Sequence, residues 1–348
     1  MRYRDAGVDV SRADAIKDEV IREIRSTWGA DVVPLAGGFA GVTRFPGSPG
    51  LLAATMDGVG TKLHVAAMAA SVPGESAARR IADAAADLVY HGANDLLVHG
   101  ARPLAFLDYV AQARLEPEHV LAAVRGLSRA CREVGAALLG GETAEMPDTY
   151  LPGVADVAGC MLGVVAPERL LDGSRARAGD QVLGLASNGL HTNGFSLARR
   201  VLAASDVPLD AVLPGGAGER LLDALLAPHR WYGPALEPLL AHGRIRALAH
   251  VTGGGIAGNL VRVLPVGLRA RVRAGSWPRP AVFRWLQESG DVPEDDARSA
   301  LNLGVGMVAV VAPQDAAGLA HALEAAGERV WPIGELAAGE RGVDWIGS

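Results

Sequence analysis

The 348-residue sequence contains only two cysteines, Cys131 and Cys160, and only two lysines, Lys17 and Lys62. Two cysteines cannot build a disulfide framework and do not form a metal-thiolate spacing, which points to a reducing, cytoplasmic setting. No apolar run approaches the roughly 18 residues that a bilayer span requires. The longest candidates, such as Val157 to Ala166, are interrupted by glycine and read as strands. The first ten residues, MRYRDAGVDV, carry charges where a secretory signal needs an apolar stretch. Net charge is −6 and no Lys/Arg stripe forms, which argues against broad nucleic-acid binding. Anionic ligands must therefore be met by local devices rather than by a global field. Short internal repeats and low-complexity tracts are also lacking.

What is abundant is glycine, at 44 residues, against an otherwise ordinary globular balance of 49% apolar and 21% charged residues. At about 150 residues per domain the length suggests two domains. Lysine is rare while arginine is plentiful, so Lys62 stands out as a candidate for a required role. Ser11 and Asp14 resemble a helix N-cap, and Ile16, Val20, Ile21 and Ile24 follow at helical spacing. The pattern predicts strands at Leu51–Met56, Leu104–Ala113, Ala136–Leu139 and Ala155–Val165, and helices at Glu75–Tyr90 and Glu116–Val134. The polar, Arg- and Gly-rich segment Pro167 to Asp180 reads as a boundary between residues 1–166 and 167–348. Beyond it, strands at Gln181–Ala186 and Leu303–Val311 alternate with helices at Phe195–Ala204 and Gln314–Ala326. Both halves are mixed α/β.

The motifs gather at element ends. Asp57-Gly58-Val59-Gly60-Thr61-Lys62 follows a buried strand. Glycines let backbone N–H groups approach phosphate oxygens, a lysine adds charge, and an aspartate suits Mg²⁺. It is not a Walker A loop, and a tight turn with an exposed lysine is the plain alternative. Asn94-Asp95 closes the Ala-rich helix, as a turn or as a ligand pair. Gly140-Gly141-Glu142-Thr143, running on to Pro147, offers a second carboxylate after paired glycines, or simply a turn. Asp57, Asp95 and Glu142 are therefore expected to converge on a hard cation. Asp108 sits within a strand, where an unpaired carboxylate is costly. Asp5 and Asp9 are read as caps of the first helix. His191-Thr192-Asn193-Gly194 precedes a helix whose N-terminus suits a phosphate. Thr252-Gly253-Gly254-Gly255, with His250 upstream and Asn259 downstream, repeats that logic or permits close backbone packing. His191 is a candidate acid or base, or a hydrogen-bonding residue.

These motifs, in this order, resemble the phosphoribosylformylglycinamidine cyclo-ligase (aminoimidazole ribonucleotide synthetase) family of purine biosynthesis. The likeness runs nearly end to end: Tyr3 to Asp9, Asp57 to Leu63, Asn94 to Leu96, Phe106 to Tyr109, Gly140 to Pro147, His191 to Leu197, His250 to Gly255 and Asn302 to Met307. The resemblance implies a two-domain ATP-binding synthetase fold. The N-terminal sheets of two subunits would pair into a shared β-barrel, giving a homodimer with active sites near its interface. It implies that ATP with Mg²⁺ phosphorylates the formyl oxygen of formylglycinamidine ribonucleotide, that the ribosyl-bearing amidine nitrogen closes the ring, and that phosphate leaves. It places metal on Asp57, Asp95 and Glu142, and catalysis on His191, Lys62 and Asp57. Nucleotide contacts fall on Gly37, Gly38, Gly41, Gly58, Gly60, Thr61, Lys62, Asn94, Gly141 and Thr143. The second substrate falls to His191, Asn193, Ser196, Thr252, Gly253, Gly254 and Gly255.

The chain also departs from that family pattern. Leu301 precedes Asn302 where an aromatic is common, His91-Gly92-Ala93 replaces a frequent Cys-Val pair, and Trp28-Gly29 lies in a stretch without the usual basic residues. The rival readings are another superfamily member, such as selenophosphate synthetase, thiamine-monophosphate kinase or the hydrogenase-maturation dehydratase, and a non-catalytic nucleotide binder. The first cysteine being Cys131 argues against selenophosphate synthetase, and the intact acids argue against a binder that has lost turnover.

Overall fold

The computed structural model describes residues 20–35, 37–151 and 153–347. The expected cap at Ser11 and Asp14, and the Tyr3 to Asp9 motif with Asp5 and Asp9, lie outside the described residues. Residues 20–26 are helical.

The first sheet holds β1 (Val32–Val33), β2 (Gly41–Arg44), β3 (Leu51–Gly58), β4 (Arg102–Gln112), β5 (Ala137–Glu145) and β6 (Ala155–Val165). Their spatial order is β1-β2-β3-β6-β4-β5, antiparallel throughout except for the β4–β5 pair. The second sheet holds β7 (Gln181–Ala186), β8 (Ile245–His250), β9 (Leu268–Arg273), β10 (Val305–Val311), β11 (Val330–Ala338) and β12 (Gly342–Ile346), in the order β12-β9-β11-β7-β10-β8. Only β9 and β12 run parallel there. β10 is buried at every position, as its unbroken apolar sequence requires.

Most expected boundaries shift by one or two residues, and two elements run on much further than expected. The strand expected at Ala136–Leu139 continues to Glu145, so the Gly140-Gly141-Glu142 motif lies inside β5 rather than after it. An irregularity at Leu139 makes this possible. Phe106 pairs with Leu138 but Leu107 pairs with Gly140, which adopts φ +117°, open to glycine. At Gly141 a Cβ would stand 1.8 Å from the Asp108 carbonyl oxygen, so close strand approach demands this residue. The helix expected at Glu75–Tyr90 spans Ala77–Leu97. Gly92 and Asn94 are weak helix formers, but burial overrides them: a Cβ on Gly92 would lie 2.9 Å from that of Met161 on β6.

That 21-residue helix is the centre of the molecule. Ser76 caps it by accepting the Arg79 N–H at 3.2 Å, and every residue from Ala84 to Leu97 is buried. One side carries Ile81, Leu88 and Leu96 against the first sheet and the Pro117–Val134 helix. Another carries Arg80, Asp87, His91, Asn94 and Asp95, spaced so that they form one polar stripe toward the C-terminal half. The apolar cores also cross between halves. One joins Leu88, Phe106 and Leu127 to Phe195, Leu221 and Phe283; the other joins Phe39 and Leu97 to Val182 and Val308.

The two long helices of the N-terminal half touch at Gly126, where an added Cβ would lie 1.9 Å from the Ala82 carbonyl oxygen. Gly126→Ala should therefore cost about 2 kcal/mol in urea unfolding, despite alanine's better helix propensity. An unchanged or raised stability would mean that the helices are not in contact there.

Candidate active site

The polar stripe meets the C-terminal half at a junction of charged and imidazole groups. Asp57, at the end of β3, is 46% exposed and marks its mouth. Its Oδ1 accepts the Gly58 N–H at 2.7 Å, and its Oδ2 lies 2.9 Å from His91 Nε2. His91 Nε2 is also 3.6 Å from Asp95 Oδ2, one helical turn along. Asp95 Oδ1 bonds His250 Nδ1 at 2.8 Å, while Thr55 Oγ1 donates to Asp95 Oδ2 at 3.2 Å. His250 Nε2 stands 3.0 Å from His229 Nε2, and the His229 ring stacks on His191 with centroids 4.0 Å apart. His91, His191, His229 and His250 are all buried.

Burial and charge act in opposite directions here. Burial works against a charged His91, but Asp95 and Asp57 outweigh it and hold its pKa above the ordinary value. Burial raises Asp57, yet the His91 bond wins and the carboxyl is held low. His191 and His229 are driven well below the usual imidazole range, first by burial and then by neighbouring cationic groups. His250 is lowered by burial against the pull of Asp95.

Lys62 departs from expectation. Its ammonium is 1% exposed and its three donors go to Asp87 Oδ2, the His191 carbonyl and the Ala227 carbonyl, the latter two at 3.0 Å each. It presents no free proton to a phosphate. Instead it clamps the His191 turn, while Asp87 Oδ1 accepts the His229 N–H at 2.8 Å. Asn94 is similarly committed: its amide donates to the Arg230 carbonyl at 2.8 Å and accepts from the Tyr232 N–H at 3.2 Å. Glu142 does not join the other two acids within one chain. It shares a cross-strand row with Tyr109, Ala158 and Gly58, on the face opposite Asp57. Three strand spacings separate them, roughly 14 Å. Gly141 and Thr143 lie with it on exposed β5.

The loops behave more as expected in place than in detail. Gly60 takes φ +64° at the turn into the Lys62–Met68 helix, and Thr61 Oγ1 lies 3.4 Å from Ser196 Oγ. Asn193 Oδ1 lies 3.3 Å from where a Gly253 Cβ would be, so the His191–Gly194 and Thr252–Gly255 turns adjoin. The amides of Gly254 and Gly255 are already used, on the Ser299 and Thr252 carbonyls, and a Cβ on Gly255 would strike the Arg298 oxygen at 1.9 Å. Two of these glycines thus serve packing. The Gly37–Gly41 loop is pinned rather than free. Arg262 donates to the Gly37 and Gly38 carbonyls and stacks on Phe39, whose N–H bonds His99 Nε2. Beside this loop and the outer positions of β3, with Trp28, Leu52 and Met56 in its wall, lies a cavity of about 560 Å³.

Sequence reasoning did not place Asp87, His229, Arg262 or His91 in a site. His91 and Asp95, four apart on one helix face, were the available signal. His229 had none, because only the fold brings it to His250.

Residues 37–165 match the family model described as AIR synthase related protein, N-terminal domain, and residues 177–346 match its C-terminal domain. The fold and the junction thus define a two-domain protein of the AIR synthase class. Phosphoribosylformylglycinamidine cyclo-ligase of Anaeromyxobacter dehalogenans (strain 2CP-C) is 44% identical over 98% of this chain and 97% of its own. That of Sorangium cellulosum (strain So ce56) is 46% identical over 96% and 94%. The chain belongs to the phosphoribosylformylglycinamidine cyclo-ligase family. Among solved structures, thiamine-monophosphate kinase from Stenotrophomonas maltophilia K279a superposes with a TM-score of 0.62 at 22% identity, covering 96% of each chain. E. coli HypE, a hydrogenase maturation protein, gives 0.61 at 20% over 85% and 83%. These two likenesses establish the fold alone.

Asp87→Asn would leave the Lys62 ammonium buried without a counter-charge and should cost about 3–5 kcal/mol in urea unfolding. The double variant Lys62→Met/Asp87→Leu should recover much of that loss. A single variant as stable as the parent would show that the pair does not hold the junction.

Proposed function

We propose that this chain is an ATP-dependent ligase that closes the imidazole ring of formylglycinamidine ribonucleotide, giving 5-aminoimidazole ribonucleotide, ADP and phosphate in purine biosynthesis. The observation that carries this reading is the 44–46% identity to curated cyclo-ligases over nearly the whole chain. The acid-bearing junction supports it. Transfer of the terminal phosphoryl group to the formyl oxygen turns a poor leaving group into phosphate. The amidine nitrogen then attacks the activated carbon, and the carbon–nitrogen bond closes the ring.

Asp57 and Asp95 would hold a divalent cation such as Mg²⁺, since their carboxylates supply oxygen donors of the class it takes. Such an ion, when bound, offsets phosphate charge during transfer. The chain's own groups do the rest. Asp57, half exposed at the mouth, faces the nucleotide, while buried His91 and His250 hold the two carboxylates in place from behind. The cavity beside Gly38 to Gly41 suits the adenine, being walled by Trp28, Leu52 and Met56. Asn193 and Ser196, on the turn that Lys62 clamps, stand ready for the second substrate on the side of Gly253. Lys62 is a positioning residue in this reading.

The protein acts as a homodimer in the cytoplasm. On the outer face of the first sheet, Met56, Leu104, Leu107 and Leu139 are 70%, 45%, 41% and 64% exposed. Met56 and Leu107 flank Cys160 in one cross-strand row. Apolar side chains gathered on one sheet face call for a cover, and a second copy supplies it by pairing the two sheets into a barrel. Glu142 lies on this same face, which brings it to the interface and to a nucleotide bound there.

ADP release should require both the ribonucleotide and a divalent cation. Equal ADP release without the ribonucleotide would refute the reaction. Asp57→Asn should lower kcat by at least about a hundredfold with a melting temperature close to that of the parent; full activity would remove Asp57 from the site. By light scattering the parent should weigh two chains and Leu107→Asp one; a monomeric parent would refute the dimer.

A further inference from the structure

The Thr252–Gly255 turn and the Gly37–Gly41 loop belong to different halves of the chain, and one guanidinium joins them. Arg262 lies in the short turn of helix that follows Gly255–Leu260. Its Nε donates to the Gly37 carbonyl at 3.1 Å and its Nη2 to the Gly38 carbonyl at 2.6 Å. Its plane covers the Phe39 ring, with Cζ 3.9 Å from the centroid. A fork that meets two successive carbonyls and an aromatic face is a task for arginine rather than lysine.

The remaining arm of the fork reaches back to the turn. Nη1 donates to Asn259 Oδ1 at 3.3 Å, and the same oxygen accepts the Thr252 hydroxyl at 3.2 Å. Both bonds are longer than is usual for their donors, as two donors sharing one acceptor produce. Asn259 is fully buried, and its Nδ2 donates to the Thr252, Gly253 and Gly255 carbonyls at 3.3, 3.2 and 2.8 Å. The amide is thus fixed to the turn, and its oxygen alone links turn to guanidinium. Arg341 holds the backbone behind, donating to the Val261 carbonyl at 2.9 and 2.8 Å and to the Arg262 carbonyl at 3.0 Å. Movement is therefore confined to the Arg262 side chain.

We infer that Arg262 is a positioning residue that couples the two ligand sites, so that a ribonucleotide phosphate at the Thr252–Gly255 turn tightens the glycine loop on the nucleotide. The phosphate takes the Thr252 hydroxyl bond, which leaves Asn259 Oδ1 to Arg262 alone. The Nη1 bond shortens, and the guanidinium is held in the plane that grips Gly37, Gly38 and Phe39. Each ligand then favours the other by the same factor, because equilibrium coupling is reciprocal. The inference rests on the reading of the turn as the ribonucleotide site and of the loop as part of the nucleotide site.

The test is calorimetric titration of the full-length protein with adenylyl imidodiphosphate and Mg²⁺, with and without saturating formylglycinamidine ribonucleotide. The ribonucleotide should tighten binding of the analogue to the parent by at least about fivefold. Arg262→Lys should abolish that gain, with the analogue bound weakly in both titrations. Thr252→Val, which frees Asn259 Oδ1 without any phosphate, should also lose the coupling, but from the opposite side. The analogue alone should bind it as tightly as it binds the parent with ribonucleotide present. In steady state, Arg262→Lys should raise the KM for ATP at least about fivefold while kcat stays within about twofold. A residue that served the fold alone would lower the melting temperature and leave the coupling intact. An uncoupled parent, parental coupling in folded Arg262→Lys, or weak binding of the analogue alone to Thr252→Val would each overturn the inference. If Arg262→Lys does not fold, Thr252→Val decides. A coupled parent that fails the ADP assay would refute the reaction and leave the coupling standing. An uncoupled parent that passes it would do the reverse.

Discussion

The structure depends on one constraint: a charged lysine and a charged aspartate buried where the two halves meet. Lys62 and Asp87 are each about 1% exposed. Removing two charges from water costs several kcal/mol per ion, and the pair persists only if every remaining donor and acceptor is used. It is. The lysine satisfies two carbonyls of the C-terminal half and the aspartate one of its amides. A junction of this kind has little tolerance for sliding, because any displacement would strand a charge in a low-dielectric interior. The helix that carries Asp87 therefore fixes the registration of both halves.

That registration is what assembles the site. Once Asp87 is seated, the next turns of the same helix deliver His91, Asn94 and Asp95 to the C-terminal half. Asn94 locks onto Arg230 and Tyr232, and Asp95 reaches His250. Arg80 adds an ion pair with Asp223 nearer the helix start. At the opposite end of the junction, Arg262 and His99 tie the glycine loop down. The Gly37–Gly41 loop, the two acids and the His191 turn are thus tied together through hydrogen bonds that cross between the halves. His191 illustrates the cost. It holds φ +61°, unusual for a residue with a Cβ, in order to turn its carbonyl toward Lys62.

The first sheet divides its labour by face. The inner face packs on the long helices and carries Asp57 toward the junction. The outer face carries exposed leucine and methionine together with Glu142. A one-residue step along a strand moves a side chain from one face to the other, so Gly141 and Glu142, adjacent in sequence, belong to different environments.

The sequence by itself determined a good deal. Periodicity placed β6, β7 and the Phe195–Ala204 helix at their observed limits, and short motifs taken in order carried the resemblance to the family. Those readings rest on forces acting within about four residues, where side-chain spacing and backbone freedom decide the outcome. Tertiary structure decided the rest: that Lys62 is buried rather than offered to phosphate, that Glu142 faces away from Asp57, that the central helix runs on through Gly92, and that His229 joins His250. The bonds responsible span separations such as 165 residues from Lys62 to Ala227 and 155 from Asp95 to His250. Local propensity contains no information about such contacts, because their energy exists only once burial has excluded water from both partners.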